Sequence, residues 1–326
     1  MSSLEIICQC NHLTSFAKIL NVYQSNEESL GLEVVTWIGC GLSIAGLVFT
    51  IISYSAFPSL RQKLAPKVLI ILCANLLCTL VLFLALVSKT EPRGLCQTVA
   101  SLLQFFILST FFWMAVEGFM LYKMFVKVFG GSHNSTNILL KASAFGWGMP
   151  LIFTVATAAS KPDSLGPSLG PITKKYLKLC VVHGFSFYFG ILLPVCIVMA
   201  FNIVILLLAI RGIDSNSSLQ NKIKKKRKVR IAFVCSLLLG TTWLFAILAV
   251  GKLEITFQWL FCIFNSLQGF FIFLFYTLDN KKVKDQWMSF LYEKRVWQLK
   301  TFETKNMKLD NTDSQTSTLA LQISTL

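Results

Sequence analysis

The sequence predicts an all-α membrane protein: a seven-transmembrane helix bundle with a C-terminal amphipathic surface helix. Three observations point there. Hydrophobic residues make up 55% of the chain and charged residues only 14%, against about 25% charged in ordinary soluble domains. The apolar residues fall in long blocks rather than on amphipathic stripes, giving a mean hydropathy of +0.65. Basic residues gather in alternate loops.

About 20 residues of helix cross the hydrocarbon core, so 18 or more apolar residues mark a candidate span. Seven blocks qualify: Val34–Phe57, Val68–Val87, Leu95–Phe125, Leu139–Ala159, Val181–Ile210, Val229–Val250 and Phe257–Leu278. Backbone groups in lipid must bond within their own segment, so the blocks are helices. The apolar–polar alternation of a membrane barrel is not seen in them.

The connections are mostly short. The outer stretch Lys161–Pro171 is rich in Pro, Gly and Ser and reads as irregular surface loop. The third inner loop, Arg211–Lys228, is polar and then strongly basic. No repeats are visible, nor the related halves found in many transporters. After the seventh block, Val283, Trp287, Phe290 and Leu291 recur at helical spacing among lysines, which suggests a helix lying on the inner membrane face. From Thr301 the tail is Ser/Thr-rich and reads as disordered.

Charge sets the topology. With the N-terminus outside, the inner loops hold three, three and eight Lys/Arg and the tail holds eight, which is 22 of the 30. The positive-inside rule then predicts an extracellular N-terminus and a cytoplasmic C-terminus. The net charge of +15 is therefore no sign of nucleic acid. The run Lys222–Arg230 reads as a juxtamembrane face for anionic lipid or a cytosolic partner. In that topology the sequons at Asn134 and Asn216 face inward and are discounted.

Ten cysteines are present. Cys40, Cys73, Cys78, Cys196, Cys235 and Cys262 lie within spans and read as small buried residues. Cys96 opens the third helix at its outer end and Cys180 closes the second outer loop. Both sit on the oxidising side and are expected to be bridged. Cys8 and Cys10 are too close in sequence to pair without strain, so each calls for a partner elsewhere. No cofactor or metal site is predicted. Met1–Gln9 lacks the basic start and apolar core of a signal peptide. Either the first span acts as a signal-anchor, or the chain is a truncated form of a longer one.

The segment Cys8–Gln–Cys–Asn–His–Leu–Thr–Ser–Phe–Ala17 resembles the end of the proteolysis site of adhesion G-protein-coupled receptors, whose pattern is Cys-x-Cys-x-His-Leu-Thr followed by a Phe-containing apolar peptide. Further along, Trp37–Ser43, Phe112–Gly118 with Leu121–Tyr122, Gly240–Phe245 and Phe264–Gly269 look like that family's first, third, sixth and seventh helices. The resemblance covers residues 8–292 and is nearest to subgroup G. It implies a division into residues 1–13 (remnant of the cleavage region), 14–32 (tethered agonist and linker), 33–279 (seven-helix domain), 280–300 (surface helix) and 301–326 (tail).

In that family the bond before Thr is cut by self-catalysis, here Leu13–Thr14. The Thr14 hydroxyl would attack the Leu13 carbonyl, with His12 either taking its proton or standing by. The bond must be held in strain by an upstream folded domain, which thirteen residues do not supply, so no catalytic role is assigned to the chain alone. The resemblance further implies that the peptide from Thr14 is a tethered agonist. Phe16, Ile19 and Leu20 would form one helical face and enter the outer mouth of the bundle. Phe105, Phe106, Trp243, Trp259 and Phe264 are candidate walls of that pocket, or ordinary core. Trp243 beside Gly240 suits a switch or a packed core. Glu117 and Gln268 are polar groups inside spans, where such residues face the interior and pair; a structural bond and a switch role stay open for both. Val181 follows Cys180 where related receptors often place Trp, so the resemblance carries no stacking of that loop on the agonist. A heterotrimeric G protein is the implied inner partner. Ser324–Thr325–Leu326 fit a PDZ groove.

Other classes make different demands. A transporter or channel predicts intramembrane charge pairs and broken helices, yet Glu117 has no basic partner in the spans. A peptide-hormone receptor needs an N-terminal capture domain, and 32 residues ahead of the bundle do not make one.

Overall fold

The computed structural model describes residues 28–87, 91–126, 135–167, 180–213 and 254–298. The predicted sixth span, the third inner loop beyond Ile213, the N-terminal segment with Cys8, Cys10 and Thr14, and the tail from Thr301 lie outside the described residues.

Four long helices come first: α1 (Glu28–Ala56), α2 (Leu64–Leu86), α3 (Arg93–Val126) and α4 (Ser135–Ser160). Pro150 sits inside α4, and its carbonyl accepts from Thr154 Oγ1 at 2.8 Å. A two-stranded antiparallel sheet follows, β1 (Leu165–Pro167) with β2 (Cys180–Val182). The fifth helix, α5, opens at Phe185–Phe187, widens into a π turn at Tyr188–Leu192 and continues over Leu193–Ile213. The last span is α6 (Glu254–Ser266) and α7 (Gln268–Leu278), the latter ending in a π turn, Phe273–Leu278. A separate helix, α8, covers residues 281–298 and belongs to a second compact unit that starts at Leu278. Among the described residues, five helices are long and apolar enough to cross a membrane, or six with α6 and α7 counted as one bent span.

Three expectations are corrected. The apolar run of the fifth block predicts helix from Val181, but Val181 and Val182 pair with β1 and helix begins only at Phe185. Gly184, at φ +66°, makes the break, a conformation open to glycine and costly for other residues. The composition of Lys161–Pro171 predicts irregular loop, yet Leu165–Pro167 is a strand because Cys180–Val182 lies beside it. The seventh block predicts one helix, but the span bends by 47° at Leu267.

The core centres on α3, which packs on α2, α4 and α5. Trp113, Leu108 and Val195 lie at its heart, fully buried. Lipid is as apolar as leucine, so helices in a bilayer associate through close packing and polar contacts rather than by escaping water. The α1–α7 seam shows this. A Cβ added at Gly46 would meet Phe273 at 2.9 Å, and one at Gly269 would meet Leu47 at 2.8 Å. The glycines let the two backbones approach.

Candidate functional site

The bend between α6 and α7 has a local cause. In an unbroken helix the Phe270 amide would bond the Ser266 carbonyl four residues back. Here Ser43 of α1 stands between them. Its hydroxyl donates to Ser266 O at 2.5 Å and accepts from Phe270 N–H at 3.1 Å. A side chain inserted into the helical ladder is an established cause of sharp kinks. The bend is thus sealed by a polar group of α1, not opened as the unwound stretch of a transporter would be.

Below the bend the same two elements stay tied. The Thr50 hydroxyl donates to Gly46 O at 2.8 Å, so Thr277 is the donor in the 3.0 Å contact between the two threonine hydroxyls. Tyr54 donates to the Tyr276 carbonyl at 2.7 Å, within the π turn. The Tyr276 side chain reaches the other way and donates to Glu117 Oε1 of α3 at 2.5 Å. Tyr276 therefore couples α1, α7 and α3. Glu117 lies 21 residues beyond Cys96 along α3, about 31 Å at 1.5 Å per residue.

Two nodes tie α3 to its other neighbours. Ser109 Oγ lies 3.1 Å from Asn75 Oδ1 of α2 and 3.2 Å from Gly146 O of α4, so its one hydrogen serves both helices. Gln104 sends one amide hydrogen to Thr157 Oγ1 of α4 at 3.0 Å and the other to Gly190 O in the α5 π turn at 3.1 Å. A Cβ at Gly190 would strike both Thr157 and Gln104. The π turn frees a carbonyl and Gln104 satisfies it.

At the N-terminal end of α3, Cys96 is disulfide-bonded to Cys180 of β2. The β2 strand is also held by Cys180 N–H donating to Val87 O at 2.8 Å. Val181 is buried against Val87 and Leu103. Arg93 reaches Asp163 at 2.7 Å on the surface. Of the six span cysteines, Cys235 lies outside the described residues and the other five are unbridged.

The remaining expected residues fall as follows. His12, Leu13, Thr14, Phe16, Ile19, Leu20, Gly240, Trp243, Ser324, Thr325 and Leu326 lie outside the described residues. Phe105 and Phe106 are half-buried on α3 and meet edge to face at 5.2 Å. Trp259 and Phe264 are half-buried on α6, which packs on α1, with the Trp259 ring against Gly31. Gln268 is buried at the bend, and its Nε2 has no hydrogen-bond partner among the described residues. No hydrogen bond joins it to Glu117 among those residues.

Sequence reasoning missed Ser43, Tyr276, Gln104 and Ser109. A usable signal existed: each is a polar side chain inside an apolar block. Their partners lie on other helices and could not be read.

Known sequences bear on this arrangement. A family profile described as 7 transmembrane receptor (Secretin family) matches residues 29–272. The human protein named Adhesion G-protein coupled receptor G2 is 34% identical over 301 residues, covering 88% of this chain and 29% of its own length. The human Adhesion G-protein coupled receptor G4 is 34% identical, covering 86% and 9%. The Bos taurus Adhesion G-protein coupled receptor D1 is 33% identical, covering 96% and 34%. The chain thus spans about a third or less of these curated relatives.

Proposed function

This chain belongs to the secretin family of seven-transmembrane receptors, and from that membership we propose an adhesion-type G-protein-coupled receptor activated by its own N-terminal peptide. The supporting observation is the run Cys8–Gln–Cys–Asn–His–Leu–Thr14 ahead of the first span, in a chain 33–34% identical to proteins named adhesion receptors. The reading places the N-terminus outside and the basic third loop and tail inside, at the plasma membrane.

The agonist is the peptide from Thr14 through Leu20. Phe16, Ile19 and Leu20 together would bury several kcal/mol of apolar surface, at about 1.5–3 kcal/mol per side chain. The covalent link supplies an effective concentration of about millimolar, so modest intrinsic affinity suffices. Docking shifts the population of bundle states, and the inner face receives a heterotrimeric G protein. Lys222–Arg230 faces anionic lipid, and Ser324–Thr325–Leu326 offers a carboxy-terminal strand to a PDZ domain. Self-cleavage at Leu13–Thr14 is assigned only to a form that carries the upstream folded domain.

Basal second-messenger output tests the agonist. Chains beginning at Met1 and at Thr14 are compared at matched surface expression, each with Phe16→Ala and with Leu20→Ala. The proposal expects the Thr14 chain to signal most and both substitutions to reduce it; equal output from all of them overturns it. Epitope tags at Met1 and Leu326 should stain from opposite sides of the membrane.

A further inference from the structure

We propose that α8 is a docking helix for a calcium-loaded EF-hand protein, one with an acidic, methionine-lined groove that closes around its target. The assignment rests on the cytoplasmic placement of the C-terminus argued above.

The distribution of its side chains carries the inference. Residues 281–298 hold five basic residues (Lys281, Lys282, Lys284, Lys294, Arg295) against two acidic ones (Asp285, Glu293). An acidic partner is therefore complementary. The large apolar side chains are not confined to one face. Phe290 lies two positions from both Met288 and Tyr292, which at about 100° per residue puts it on nearly the opposite side. All three are exposed, at 45%, 69% and 71%. Leu291 and Trp297 are exposed as well, at 55% and 67%. The continuous polar stripe, Lys282, Gln286, Ser289 and Glu293, is narrow. A helix lying on a bilayer buries one face and keeps a broad polar face in water. This helix presents apolar side chains around most of its circumference, which a flat surface cannot cover and an enclosing groove can. Trp287 and Leu291, one turn apart, are the anchors of one face, and Met288 and Tyr292 those of the adjoining one, about 100° round the helix. Calcium opens the sensor type of EF-hand protein and exposes such a groove.

The test uses the full chain in phosphatidylcholine nanodiscs, with both faces open to solution and fluorescently labelled, calcium-loaded calmodulin as the probe. Binding is expected in calcium and not in chelator. Leu291→Gln and the pair Met288→Gln with Tyr292→Gln, both compatible with helix, are each expected to weaken it about tenfold or more, as loss of about 1.4 kcal/mol or more requires. Ser289→Gln on the polar stripe is expected to leave it unchanged. Lack of calcium-dependent binding overturns the proposal, as does binding that depends on Leu291 alone, since that is one-sided contact. Because nanodiscs expose both faces, failure here does not bear on topology, which the tags decide separately.

Discussion

Ser43 and Phe270 lie 227 residues apart in sequence, and the hydroxyl of the first accepts the backbone amide of the second at 3.1 Å. The same hydroxyl donates to Ser266 O, so one side chain of α1 occupies the gap in the last span's ladder. Both backbone groups would otherwise face a solvent that offers no hydrogen bonds.

Ser43→Ala should lower thermal stability. Interhelical hydrogen bonds in membranes average about 0.6 kcal/mol each, and an unsatisfied buried backbone group adds about 1–3 kcal/mol. A fall of several degrees in the melting temperature of the detergent-solubilised chain is expected. An unchanged melting temperature would show that Ser266 and Phe270 re-pair on their own.

The glycines should separate into two ranks. Gly269→Ala puts a Cβ within 2.9 Å of both Leu47 and Ser43, and Gly190→Ala drives one into Thr157 and Gln104. Gly41 and Gly148 have nothing within 4 Å of that position. Overpacking costs about 1–3 kcal/mol. Surface expression should therefore drop for Gly269→Ala and Gly190→Ala and hold for Gly41→Ala and Gly148→Ala. Equal expression across the four would sink the account of the α1–α7 seam and the π turn.

How far the fold could be read from the chain follows from which forces are local. A bilayer imposes apolar composition on each span separately, so the long blocks are visible residue by residue. These blocks lie almost wholly within residues 29–272, the stretch that the seven-transmembrane receptor profile matches. The bend at Leu267 was not visible, because the group that makes it comes from Ser43 on another helix. Nor was the strand at Leu165–Pro167, whose partner strand begins only at Cys180. Val181 and Val182 continue the apolar run of the fifth block without a change of composition. Only Gly184, a single residue, marks where strand gives way to helix. Cys96 and Cys180 could be placed on the outer side from topology alone, and the structure bridges them. Tyr276 lies in a run of phenylalanines and leucines, where a tyrosine facing lipid and one facing Glu117 look the same.

The Tyr276–Glu117 contact gives the last prediction, and it concerns signalling. Tyr276 donates to the Glu117 carboxyl while its own carbonyl accepts from Tyr54, so α3, α7 and α1 are tied at one level. If that tie belongs to the resting arrangement, removing it lowers the cost of separating the helices at that end. Tyr276→Phe deletes the hydroxyl with little change of volume, and Glu117→Gln keeps an acceptor but weakens a bond to a carboxyl group. A loss of about 1.4 kcal/mol shifts a two-state population about tenfold. Basal second-messenger output at matched surface expression should rise several-fold for Tyr276→Phe and less for Glu117→Gln. The double variant should resemble Tyr276→Phe alone, because the two residues act through one bond. Additive effects of the two substitutions would show that Glu117 and Tyr276 act through separate contacts.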